Sequence, residues 1–266
     1  MPEDNIGLEL AKAATSAVAE KAYDDVAHPT MSATGTILSL FPRTVRLWLS
    51  KWEKYVLMGE ANLEQFASAL KPKVDAIPEE KLTEPEPYVA IPAIQQLSYS
   101  FNSEVLREMY ANLLAASMNV DTKWDVHPSF VEIVKQLTPR EAVFLNYLRG
   151  YRKALIDYEF QFKEFGGFCG QNLIAVNDRF SQEDITLYIN NYIRLGIFEK
   201  VLSKRNSCAM EFEEIEKIAI NECTSSMEED YEHKFTYEEL SQALTCNYYW
   251  LQLTNFGDSF VGTCIL

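Results

Sequence analysis

Apolar residues that return every three to four positions run through the first half of this 266-residue chain, and that period commits it to packed helices. Ile6, Leu10, Ala13, Ala14, Ala17 and Val18 share one face, with Asp4 or Asn5 placed as a cap and His28-Pro29 as a stop. Pro42 suits a first helical turn. Beyond it Val45, Trp48, Leu49, Trp52, Tyr55 and Val56 fall on one side, and Arg43, Arg46, Lys51 and Lys54 on another. The period continues through Leu63, Phe66, Ala67, Leu70 and Val74. Residues 77–87 then hold three prolines and four glutamates in eleven positions, the composition of a solvated connector. After it come a helix entered at Pro87 and another capped by Asn102, with Val105, Leu106, Met109, Tyr110, Leu113 and Leu114 on one face. Residues 1–135 are expected to form a helical bundle domain.

The second half changes character. Thr138 and Pro139 read as a cap and first-turn proline, Ser181 opens a further helix that closes at Gly196, and residues 197–202 and 248–253 read as strands. Thr254 caps a short last helix, in which Gly257 permits close packing. Helix, helix, strand, strand, helix is a winged-helix order, interrupted by an acidic helical insertion over about 210–237 that places Phe212, Ile215, Ile218, Ala219 and Cys223 at helical spacing. The expected fold class is mainly α: a bundle over 1–135, then a winged-helix-like α/β part over 136–266.

Composition narrows the function. Against 24 Lys+Arg stand 39 Asp+Glu, a net charge of -15, so the average surface repels phosphate backbones. The helix at 181–194 is acidic at the end that would enter a groove, and residues from 201 onward carry four bases and twelve acids. Nucleic acid is therefore not an expected partner. Three histidines and five cysteines without a CxxC pair offer neither a zinc site nor a disulfide framework, so no metal and no cofactor is expected. The first residues carry no charged-then-apolar leader, and Pro42, Arg43 and Arg46 interrupt the longest apolar run, so a cytoplasmic protein is expected.

Several phrases carry a family resemblance. Tyr23-Asp24-Asp25 is followed by Pro29 and Gly35, and the connector ends in Pro85. Then come the stretches 106–118, 126–142 with its His127-Pro128-Ser129-Phe130 and Leu137-Thr138-Pro139, 191–197, and 253–260. In this order they resemble the abortive-infection alpha family of bacteria and their mobile elements. The resemblance implies a link to phage defence and transfers no catalytic residues.

Each tempting site has a plainer reading. His127, near Asp121 and Asp125, reads as a helix-entry residue bonded to backbone, and Asp24, Asp25 and His28 as a negatively charged helix end. Phe165-Gly-Gly-Phe-Cys-Gly lacks the Gly-Lys-Ser/Thr ending of a phosphate loop and reads as a flexible turn, with Cys169 structural. The acidic insertion reads as a solvated face, with docking of a basic partner as its alternative. His127, Pro128, Phe130, Gly196 and Gly257 are read as family-motif residues with structural roles.

Residues 31–60 carry a basic excess, four bases to two acids. Arg43, Arg46, Trp48, Lys51, Trp52 and Lys54 are thus the candidate partner or membrane surface. The expected function is non-enzymatic phage defence through contact with a phage or host protein, a homo-oligomer being compatible with it. The alternatives are a membrane effector using the 43–55 helix and a winged-helix regulator contacting DNA through Lys204 and Arg205.

Overall fold

Ser103, Thr138, Ser181 and Thr236 each turn a hydroxyl onto the backbone N–H three residues ahead, and each begins a helix. Thr138 and Thr236 complete capping boxes, Glu141 and Glu239 reaching back to the cap N–H. The expected Asn102 cap is thereby displaced by one residue, to Ser103. The computed structural model describes residues 60–100, 102–150, 152–162, 166–175, 179–203, 209–230 and 235–265. The chain divides into two compact units, one of residues up to Gln136 together with Thr263 onward, the other Leu137–Gly262.

The first unit holds α1 (Glu60–Asp75), α2 (Pro87–Ser100), α3 (Glu104–Ser117) and α4 (Ser129–Lys135). α3 packs on the other three and supplies Tyr110, Leu113 and Leu114 to a core shared with Leu70, Ile94 and Phe130. Tyr110 is wholly buried, its hydroxyl donating to the Val131 carbonyl at 3.4 Å, and burial pushes the phenol above its ordinary value. The 77–87 connector is more tied down than its composition suggests. Thr83 N–H donates to Met118 O at 2.8 Å, Val120 N–H to Lys81 O at 2.9 Å, and Lys81 pairs with Asp121 at 2.6 Å. Pro85 is buried.

The second unit is built on a four-stranded antiparallel sheet of order β2-β1-β4-β3, with β1 (Lys153–Phe162), β2 (Gly166–Leu173), β3 (Phe198–Leu202) and β4 (Leu244–Leu253). Its helices are α5 (Pro139–Leu148), α6 (Gln182–Arg194), α7 (Ala209–Asp230), α8 (Tyr237–Ala243) and the greater part of α9 (Asn255–Cys264). Ala154, Ile156, Tyr158 and Phe160 of β1 alternate onto one face, where Phe212, Ile215, Ala219 and Ile220 of α7 and Leu240 of α8 cover them. At roughly 1.5–3 kcal/mol per fully buried large apolar side chain, this layer is the main stabilising term of the unit.

The other face carries polar ties. Lys200 of β3 donates to both Asp157 oxygens, at 2.9 and 2.8 Å, and to Asn172 Oδ1 at 3.0 Å, while Asn172 Nδ2 reaches Asn190 of α6 at 2.9 Å. Asn172 sits at φ 56°, the left-handed region that asparagine tolerates, and its N–H donates to Asp157. Glu141, 4% exposed, accepts from the Thr138 N–H at 2.6 Å and from Asn191 Nδ2 at 2.7 Å, joining α5 to α6.

The expected fold class is corrected by β1 and β2. A winged helix needs α5 and α6 in succession before a small wing; here two long strands intervene and form half of the antiparallel sheet, so the fold is mixed α/β and not mainly α with a winged helix. Of the stretch read as a flexible turn, residues 166–170 belong instead to strand β2, Gly166–Leu173, and Phe165 lies outside the described residues. The expected strand at 248–253 is the second half of β4.

Two substitutions test this packing. A Cβ on Gly257 would lie 1.9 Å from the Ile197 carbonyl oxygen, backbone that cannot turn aside, so Gly257→Ala is expected to cost about 2–3 kcal/mol in urea unfolding. Glu141→Ala removes the acceptor of two N–H donors and is expected to cost about 2 kcal/mol. A change within about 0.5 kcal/mol for either would contradict the packing described.

Candidate functional site

β2 is an outer strand, and the backbone groups on its free edge need partners. α6 supplies some of them. Thr186 Oγ1 donates to the Gln171 carbonyl at 3.0 Å, and Gln182 Nε2 donates to the Asn172 carbonyl at 3.3 Å. α6 on one side and α7 on the other flank β2, leaving an open cleft of about 850 Å³. Phe168 and Gly170 of β2, Glu183 and Leu187 of α6, and Ile218 and Glu222 of α7 are among its walls.

Tyr158 makes the floor. It stands in register opposite Gly170, and a Cβ there would lie 2.5 Å from the ring. The missing side chain lets the ring lie against the neighbouring strand and extend its hydroxyl to Glu222 Oε2 at 2.8 Å. Phe160 and Phe168 flank the ring at centroid distances of 5.9 and 6.1 Å. Burial first, and then the Glu222 bond, push the Tyr158 phenol above its ordinary value, so it stays a neutral donor at physiological pH. The Glu222 carboxyl is also raised: burial is the largest cause, the Tyr158 bond opposes it, and the charge of Glu183 adds to it. Leu187 stands 63% exposed at the rim, an apolar side chain beside two carboxylates. The site offers negative field and apolar surface, with its phenol held protonated.

The residues singled out from sequence lie elsewhere. His127 is exposed ahead of α4; its Nδ1 accepts from the Ser129 N–H at 3.2 Å and lies 2.6 Å from Ser129 Oγ, with Phe130 buried beneath. Pro128 is the residue preceding α4. Gly196 takes φ 73° where α6 ends, and Gly257 lies against the Ile197 backbone. Cys169 is exposed and lines the cleft. Arg43, Arg46, Trp48, Lys51, Trp52 and Lys54 lie outside the described residues, as do Asp24, Asp25, His28, Lys204 and Arg205. Among the described residues no group of three or more His, Cys, Asp or Glu side chains is placed to hold a metal ion, and no helix is long and apolar enough to cross a membrane. Tyr158, Leu187 and Glu222 were not singled out from sequence, and Gly170 entered only as the end of the glycine-rich stretch over 165–170; Ile156, Tyr158 and Phe160 do return at period two, a partial strand signal.

The model of one protein family, abortive infection alpha, matches residues 58–264, most of the chain. The chain belongs to the abortive infection alpha family. No curated protein and no solved structure matches it. Membership associates the chain with abortive infection, a form of phage defence, and the whole cleft of this abortive infection alpha protein falls within the matched span.

The floor has a double-mutant test. Gly170→Ala is expected to cost about 1–3 kcal/mol in the native background and clearly less in a Tyr158→Ala background, where the ring no longer blocks the new methyl. Additive costs would contradict the described contact. Glu222 has a pH test. Its raised folded pKa means that the native state binds a proton more readily than the unfolded chain, so stability from this group falls as pH rises from its ordinary 4.5 through the folded value. Glu222→Gln removes that loss, and its Tm relative to the parent is expected to rise between pH 4 and pH 7; a relative Tm that falls over this range would contradict it.

Proposed function

We propose that this abortive infection alpha protein acts in phage defence without chemistry of its own, by binding another protein through the cleft between α6 and α7. One observation carries the reading: an open cleft in which exposed Leu187 and half-buried Phe168 and Ile218 stand with Glu183 and Glu222. Clustered apolar surface rimmed by charge is the composition of a protein contact. The Tyr158–Glu222 pair also supports binding over catalysis, since a neutral phenol donating to a carboxyl group holds a fixed shape. The net charge of -15 agrees with a macromolecular partner other than nucleic acid.

The test is phage plating on cells that express the chain, compared with cells expressing Leu187→Asp at equal protein level. Position 187 is exposed, so the variant is expected to fold as the parent does while placing a charge on the apolar rim. Protection is expected to fall at least about tenfold, the equivalent of some 1.4 kcal/mol of binding. Undiminished protection would overturn the assignment of this cleft to the defence function.

A further inference from the structure

A protein contact through this cleft leaves open what chemistry the partner presents. We infer that the occupant is a basic amphipathic segment of a partner protein, which sets a lysine or arginine between Glu183 and Glu222 and an adjacent apolar side chain on Leu187 and Phe168. The inference rests on the reading of the cleft as a protein contact.

Charge supplies the first reason. Residues 209–230, the span of α7, contain eight acids and one lysine, and Glu183 in the first turn of α6 lines the cleft. Glu183 of α6 and Glu222 of α7 both line the cleft, and the charge of Glu183 is one of the causes that raise the Glu222 carboxyl, so a cation held between the two relieves a repulsion present in the folded chain. Phosphate groups meet the opposite field and are repelled.

The apolar part supplies the second. A metal ion or a polyamine would use the carboxylates and leave Leu187, Phe168 and Ile218 wet, whereas an amphipathic segment covers both kinds of surface. The backbone of β2 supplies the third. Carbonyls of Gln171 and Asn172 already accept from Thr186 and Gln182, so strand addition at that end of the edge is blocked and recognition falls to side chains.

The experiment is fluorescence anisotropy with the full chain and a labelled short helical peptide of lysine and leucine only, at low and at high salt. Three comparison peptides replace the lysines by glutamate, the leucines by serine, or both. The lysine-leucine peptide is expected to bind, to weaken as salt rises, and to bind at least about tenfold more tightly than any of the others. The double variant Glu183→Gln/Glu222→Gln is expected to lose about tenfold in affinity, and Leu187→Ser about fivefold. Circular dichroism checks that each variant is folded, and Leu187→Ser, at an exposed position, provides the test should the double variant unfold. Equal affinity of parent and both variants would overturn the inference. So would equal binding of the lysine-serine peptide, or its displacement by spermine, which would mark a simple cation site. Plating the same variants against phage separates the two readings: lost peptide binding with intact protection supports the occupant and contradicts the role in defence, whereas unchanged peptide binding with lost protection contradicts the occupant alone.

Discussion

One face of strand β1 is buried from Ala154 to Phe160, Leu155 is buried on the other, and the second unit depends on that burial. Ile156 and Phe160 lie under α7 and α8, Leu155 is equally inaccessible, and β2 and β4 pair along either side of the strand. A strand paired along both sides exposes little of its backbone to water, so its N–H and C=O groups need partners in the ladders; the β2 ladder shifts register between Ile156 and Tyr158, where the Asn172 N–H donates to Asp157 instead. Both neighbours are accordingly antiparallel and nearly as long, with β4 matched to β1 from Lys153↔Leu251 to Phe160↔Leu244. The two outer strands then need different protection. β3 is short, as exposed edges often are, and β2 is covered in part by Gln182 and Thr186 of α6.

The cleft is a consequence of this arrangement. α6 and α7 both pack against β2, and the space between them is floored by Tyr158 of β1 and by residues 168–171 of β2. A side chain at position 170 would displace Tyr158; glycine admits the ring, the ring carries a hydroxyl to Glu222, and one carboxyl group is thereby fixed in the cleft that Glu183 also lines. Placement of negative charge in the cleft thus traces back to the absence of one methyl group on an edge strand. The Asp157–Lys200 pair with Asn172 and Asn190 holds the same strand from the opposite face, which keeps β2 and α6 in one relation.

Helix starts were the most legible part of the chain, because their causes are local. Thr138-Pro139-Arg-Glu and Ser181-Gln-Glu-Asp state a cap and its acidic first turn within four residues, and Gly196 states the stop. The apolar face of α7 was legible for the same reason. Strands β1 and β2 were not. Ala154-Leu155-Ile156 breaks the alternation because both faces are buried there, and glycine-rich β2 has the composition of a turn. The purpose of Gly170 becomes visible only when Tyr158 is placed opposite it, a pairing separated by twelve positions. Mistaking that hairpin for a turn led to a winged helix and left the cleft unseen. The acid load of residues 211–216 and 228–232 was plain, but its direction was not: Glu222, which faces the cleft, lies outside both runs.

Family membership supplies the biological setting, and the cleft supplies a surface on which that setting acts. The most direct measurement is site-specific photo-crosslinking in phage-infected cells, with the photoreactive residue placed at position 187 and, as a control, at exposed Val143 of α5. Adducts are expected at 187 and not at 143, and the partner peptide they contain is expected to carry lysine or arginine next to an apolar side chain. Adducts at 143 with none at 187, or a partner peptide that is acidic throughout, would contradict the cleft as the place where this protein meets its target.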